Sequence, residues 1–308
     1  MSMDSQDFLI SNYRNLVKSA VQMFAQTNYG STDGSKKIIW RHDCDFSLAK
    51  AVTIGAIDNE EGMKSTFFIN IHADTYNALS LSGKQSIRIL VEQGHEIGIH
   101  LDTSFYGGIK NEEQLIGILE AEIQLYRDHF TLSPEAFSFH NPTESEMKFE
   151  NERYAGLVNC YSRYLRESWR YVSDSNGYWR HKQIKEVLNE DIQSSVQVLT
   201  HSEWWSEKPM MPRERLVSSL LLSLHEEILS YDRALLIFGR QNISSIEEKI
   251  RDLGTSDANL HLLLTAISSL VETDTSGLME EHKYPYQDQM KSLMKTMASL
   301  NLISASLV

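Results

Sequence analysis

The chain of 308 residues has little cysteine: only Cys44 and Cys160 are present. A disulfide framework is not supported by that count, and a structural zinc site built from cysteines is excluded. Basic runs are missing as well. Lys and Arg number 29 against 42 Asp and Glu, for a net charge of −13. Binding to a phosphate backbone needs clustered Lys and Arg, so a nucleic-acid partner is not expected. No apolar run approaches the roughly 18–20 residues that span a bilayer; the nearest, LVSSLLLSLHEEIL, is interrupted by Ser, His and Glu. The opening MSMDSQDFLISNY lacks a basic stretch followed by an apolar core. No signal peptide is therefore expected, and the cytoplasm is the default location. Internal repeats and low-complexity segments are absent too. What is present is enough hydrophobic residue, 41%, for a substantial core.

Short runs rich in Ile, Val and Phe alternate with longer amphipathic stretches over the first two hundred residues. The predicted strands are KIIWR, STFFINI, HEIGIH, EAFSFH, GLVNCY, RYVSD and SVQVLTH. Between them, helical patterns are read in SLAKAVTIGAIDNEEG, GKQSIRILVEQG, EEQLIGILEAEIQLYRDHF, ESEMKFENERYAG and KQIKEVLNE. Gly62 and Gly94 stand where helices stop, the usual C-terminal signal. Connections of this length imply parallel strands with crossover helices. Seven strands and about as many helices fit an α/β architecture, a distorted or incomplete (β/α)7 barrel, better than an open sheet. Residues 1–212 are assigned to that barrel. Residues 213–308 read as a helical C-terminal extension packed on or beside it, with RALLIFG at 233–239 as a candidate strand and with helices through which the chain could form an oligomer.

The stretch IIWRHDCDFS ends a buried-looking strand on two carboxylates, Asp43 and Asp45. Residues two apart on a strand share a side at roughly 6.5–7 Å, so these like charges repel unless a cation or a shared proton relieves them. In a (β/α) barrel the site lies at the C-terminal strand ends. Those ends carry Asp43 and Asp45, then His100 and Asp102, His140, Asp174, and His201 followed by Trp204 and Trp205. Singly, each has an ordinary explanation: Asp45 as a helix N-cap, a histidine as a hydrogen-bonding structural residue, the tryptophans as core. Five of seven strands ending in Asp or His exceeds what packing demands.

The segments RHDCDFS, STFFI, QGHEIGIHLD, SFHNP, YVSDSNGYW and VLTHSEWW, in that order over residues 37–205, resemble the polysaccharide deacetylase superfamily. This is the NodB-homology or carbohydrate esterase family 4 group, and the segments are most similar to its divergent WbmS-like branch, associated with bacterial surface-polysaccharide genes. The resemblance implies Asp43 as catalytic base, Asp45 and His100 as metal ligands, His201 as general acid and Asp174 as the residue that orients it. Three departures stand out. Cys44 separates the usually adjacent aspartates, which leaves the base and ligand labels exchangeable. Ser104 stands where a second histidine is usual, and His140 replaces an arginine. His140 is taken as third ligand, as in YdjC-like deacetylases that draw a histidine from a later strand, with Asp102 as the alternative. Arg41 is a candidate hydrogen-bonding partner of the carboxylates, and Trp204, Trp205 and Asn141 are candidate substrate contacts. The implied cofactor is a divalent metal, Zn²⁺ first, with Co²⁺, Ni²⁺ or Fe²⁺ as alternatives. The implied reaction removes an acetyl or formyl group from an amino sugar or nucleotide sugar. Rival readings are a sugar-binding pseudo-enzyme, a metal-independent amide hydrolase of the same superfamily, and a non-haem Fe(II) oxygenase, the last disfavoured by the strand–helix alternation.

Overall fold

A computed structural model describes residues 5–32, 36–179, 182–190 and 194–240. In chain order the elements are α1 (Ile10–Met23), β1 (Ala25–Gln26), β2 (Lys37–Cys44), α2 (Leu48–Glu60), β3 (Thr66–Ile69), α3 (Leu81–Glu92), β4 (Glu96–Leu101) and α4 (Glu112–Phe130). They continue as β5 (Ala136–Phe139), β6 (Arg153–Tyr154), β7 (Leu157–Asn159), α5 (Arg163–Ser168), β8 (Arg170–Ser173), α6 (Ile184–Asn189), β9 (Val196–His201) and α7 (Pro212–Ile237). The sheet runs β6-β7-β5-β4-β3-β2-β9-β8, with β1 beside β2. Every pairing is parallel except the β6–β7 hairpin. Among the described residues β6 and β8 do not pair with each other, so the curled sheet is an incomplete barrel. All seven expected strands are present. Two compact units divide the chain, Met1–Glu226 and Glu227–Val308. Most of the extension expected over 213–308, and with it the proposed oligomer contacts, lies outside the described residues. No helix among the described residues is long and apolar enough to cross a membrane.

Alternation along β2 sets the layers. Ile39 joins Phe68, Ala136, Val158 and Cys160 inside the curl, whereas Trp40 packs with Tyr13, Leu16 and Val17 of α1. The outward face of β2 also carries a buried polar cluster. His42 Nε2 lies 2.8 Å from Asp58 Oδ2 of α2. Tyr13 donates to Asp58 Oδ1 at 2.5 Å and Ser65 donates to Asp58 Oδ2 at 2.5 Å. Thr200 Oγ1 of β9 sits 2.7 Å from His42 Nδ1. A paired, fully hydrogen-bonded group of this kind is the form in which charge is tolerated in a core. It ties α1, α2 and β9 to one strand.

Helix starts follow local chemistry. Ser47, Ser80 and Asn111 accept from backbone N–H groups at the starts of α2, α3 and α4, the usual role of such residues. Three sequence readings are corrected. The helix expected over 144–156 is only a 3-10 turn, Glu146–Lys148, followed by the β6–β7 hairpin. Glu146 is turned inward to accept from Thr143 and Thr103, and Ala155 and Gly156 both have positive φ, 47° and 83°, as a two-residue hairpin turn requires. The strand considered at 233–239 is instead the last turn of α7, to Ile237, and the turn that follows it; a short apolar run has no period to separate the two states. The amino-terminal helix α1 was not anticipated, although Ile10, Tyr13, Leu16, Val17 and Ala20 form its buried face at helical spacing.

Candidate active site

Asp45 lies just past β2 and is freed from helix capping because Ser47 takes that role. Its Oδ1 is 3.0 Å from His100 Nε2 and 3.3 Å from His140 Nδ1. The two imidazole nitrogens are themselves 3.2 Å apart. One ligand atom from each of Asp45, His100 and His140 falls within 4.8 Å of the others. His100 faces inward on β4, with Nδ1 3.3 Å from the Ser138 carbonyl, which aims Nε2 at Asp45. His140 follows β5; its backbone N–H donates to Leu101 O at 2.8 Å, and its Nε2 lies 2.9 Å from Asn141 Nδ2. Asp102 is not in this group. Its Oδ1 accepts from Ser104 N at 2.9 Å and Ser104 Oγ at 2.6 Å, which stabilises the turn after β4.

The second aspartate faces a different counter-charge. Asp43 is 2% exposed; its Oδ2 accepts from Arg41 Nη2 at 3.2 Å and from Ser138 Oγ at 3.1 Å, and its Oδ1 has no hydrogen-bond partner. Arg41 is fully buried between the rings of Phe68 and Tyr161, at 5.5 and 5.1 Å from their centroids. Burial opposes its charge, but Asp43 together with Tyr29, Tyr161 and Cys160 outweighs that and holds the guanidinium ionised. The paired carboxylates are thus relieved separately: Asp43 by an arginine two residues earlier on the same strand, Asp45 by two histidines.

His201 closes β9. Its Nδ1 is 2.6 Å from Asp174 Oδ1, and its backbone N–H donates to Asp174 Oδ2 at 3.1 Å. Its Nε2 points to the cluster, 3.8 Å from Asp45 Oδ2. Burial disfavours the imidazolium, but the charge and hydrogen bond of Asp174 override it and raise the pKa to about 10. Burial likewise opposes ionisation of Asp45, yet hydrogen bonds from His100 and His140 hold its pKa well below the carboxylate range. Against the same desolvation, Asp45 raises His140.

The tryptophans fall differently. Trp205 is fully buried, packed on Tyr13, Phe8 and Trp179 at 4.8, 5.1 and 6.3 Å; with no open face it belongs to the core, which corrects its assignment as a substrate contact. Trp204 is 7% exposed, 6.5 Å from the His201 ring and edge-on to Phe46. Sequence reasoning passed over Glu203. It is fully buried, with Oε1 unpartnered, and burial, then the Asp45 charge, pushes its pKa well above the usual range. Its position two residues past a strand-end histidine was the only available signal.

Two imidazole nitrogens and a carboxylate match the donor set of catalytic divalent sites, which keep coordination positions open. The half-buried Asp45 and His140 leave room on that side. A bound cation would take the place of any imidazole proton facing Asp45.

No family model matches the sequence, and no curated protein does. Solved structures similar to the chain include a family 4 acetyl xylan esterase from Clostridium thermocellum in complex with a cobalt ion, at 15% identity and TM-score 0.36, covering 62% of this chain and 84% of that one. A chitin deacetylase from the fungal pathogen Colletotrichum lindemuthianum matches at 14% identity and TM-score 0.33, covering 60% and 81%. The Xyl-CE4 domain of a multidomain xylanase from the hindgut metagenome of Trinervitermes trinervoides matches at 12% and 0.34, covering 68% and 87%.

Proposed function

We propose that the protein is a metal-dependent hydrolase that removes an acetyl or formyl group from the nitrogen of an amino sugar, free or nucleotide-linked. One observation carries the reading: the Asp45–His100–His140 cluster stands 3.8 Å from the outward nitrogen of a buried His–Asp pair. Structural metal sites have no use for such a pair, whereas amide hydrolysis needs an acid for the departing amine.

Asp45, His100 and His140 would hold the cation, with Zn²⁺ the first choice for this donor set. When bound, a divalent ion supplies Lewis acidity, polarising an acyl carbonyl and making water a stronger acid. Asp43 is the base of this scheme. Arg41 and Ser138 fix its Oδ2, and the unpartnered Oδ1 accepts a proton from the attacking water. That water forms the new C–O bond as the C–N bond breaks. His201 gives the amine nitrogen a proton from Nε2, while Asp174 holds Nδ1–H and stabilises the imidazolium. Buried Arg41 keeps Asp43 from swinging toward Asp45, which supports Asp43 as base and Asp45 as ligand.

The test is acetate or formate release from a panel of N-acylated amino sugars and their nucleotide-linked forms, with Zn²⁺-supplemented full-length protein. Release is expected, and Asp45→Ala should lose both metal stoichiometry and turnover. Protein that binds one metal per chain yet releases no acyl group from any member would refute the reading.

A further inference from the structure

The turns after β3 and β4 hold an aromatic arrangement that the chemistry above does not use. Phe105 is 59% exposed. Its ring stacks on His72, with centroids 3.7 Å apart and planes 11° from parallel. Tyr106 stands edge-on to both, at 5.7 Å from His72 and 5.0 Å from Phe105. The stack is anchored from below: His72 Nε2 is 2.9 Å from Glu122 Oε1, whose side chain is 2% exposed, and Tyr106 donates to the same oxygen at 2.6 Å.

Both turns are attached to the cluster. In the one after β3, Thr75 donates to the Asp45 carbonyl at 2.8 Å and Tyr76 to the Cys44 carbonyl at 2.7 Å. The other begins at Asp102, two residues past His100, and is closed by Gly108 N–H donating to Thr103 O at 2.9 Å. A phenylalanine left largely open to water forgoes much of the stabilisation that burial would give it. Here one face is held by stacking and by a buried carboxylate. A ring immobilised in this way presents its free surface at little further entropic cost.

We infer that Phe105, backed by His72, is a platform for the C–H face of a pyranose ring, the sugar of the substrate whose acyl group meets Asp45, His100 and His140. This rests on the hydrolase reading and names the residue that selects a sugar over a simple amide. A pyranose has an apolar C–H face and a rim of hydroxyls. Asp102 and Ser104, in the turn after β4, and Asn141, after the neighbouring β5, supply polar groups for that rim. A flat aromatic surface with polar groups beside it is the usual composition of a specific small-ligand site.

The test is binding of triacetylchitotriose, followed by saturation-transfer NMR and calorimetry on the full chain loaded with Zn²⁺. Phe105→Ala is expected to weaken binding about tenfold, roughly 1.4 kcal/mol, and Phe105→Tyr to restore it. His72→Ala should give an intermediate loss, with metal content unchanged in all three and melting temperature unchanged in the two Phe105 variants. For a turned-over substrate the loss should fall on KM rather than kcat. Equal binding by wild type and Phe105→Ala, or no binding by wild type at millimolar sugar, overturns the platform. Phe105-dependent binding without turnover of any acylated sugar keeps the platform and sinks the hydrolase; turnover indifferent to Phe105 does the reverse.

Discussion

His201 shows how much one contact decides. With its pKa raised to about 10 from an unfolded value of about 6.5, it contributes stability that is complete below pH ~6.5 and lost as pH rises through ~10. Metal-free protein should therefore show a falling unfolding midpoint across that window. Asp174→Asn should flatten the fall and cut turnover about 10²–10⁴-fold, the usual share of a general acid. Denaturation series at several pH values, beside acyl-release rates, check both halves. Glu203 acts in the same direction with pH. A buried carboxyl whose pKa is raised by desolvation and by Asp45 binds a proton that the unfolded chain has released, so stability drops with rising pH above about 4.3. Glu203→Gln should raise the denaturation midpoint at neutral pH, by more at pH 8 than at pH 5. The positions of Asp43, Asp45, His100, His140 and His201 were legible because they end strands, through the period of two and the barrel rule; their roles rested on the family resemblance. Arg41 as counter-ion to Asp43 was less so. Its burial between two aromatic rings depends on Tyr161, 120 residues away, which local pattern does not encode. Trp205 was misjudged for a related reason: its neighbours Phe8 and Tyr13 lie in a helical segment that had not been recognised.

Elements impose tighter limits than single side chains. On β4, Gly98 faces inward, and an added Cβ would meet the Phe68 ring at 2.4 Å. Phe68 is fully buried, so Gly98→Ala should cost about 1–3 kcal/mol through overpacking, read as a lower urea midpoint at unchanged slope. Asp58 of α2 accepts from Tyr13 and Ser65 and pairs with His42. Asp58→Ala leaves those groups unmatched in the core and should destabilise by about 3–5 kcal/mol. The same cluster guards alignment. Slippage of β2 by one residue would carry His42 into the curl and Asp43 beneath the helices, because the side-chain period is two. Strand identity and order along the chain were legible from alternation and from the glycine stops. The β6–β7 hairpin was not, because Glu146 resembles a helix residue until its inward hydrogen bonds are known.

At the scale of the molecule, cation binding and protonation compete. Asp45 raises the pKa of His140 against the cost of burial, and an entering metal would compete with that proton. Zn²⁺ affinity should rise with pH, with proton release seen by calorimetry in buffers of different ionisation enthalpy; pH-independent affinity would place the ion elsewhere. The incomplete barrel was legible from strand count and connection length. With it came the order of the seven expected strands, which the sheet keeps with the first, β2, beside the seventh, β9; the added β1 and β6 were not legible. That order has a consequence for synthesis. β2 is among the first strands made, yet one of its neighbours, β9, is the last among the described residues, aligned from Ile38 opposite Val196 to Asp43 opposite His201. Until about residue 201 leaves the ribosome, the middle of the sheet has a bare edge, the kind of surface that recruits stray strands. A nascent chain stalled short of that point should depend on chaperones, and its release should be followed by the closing of a ladder that joins the two ends of the fold at its centre.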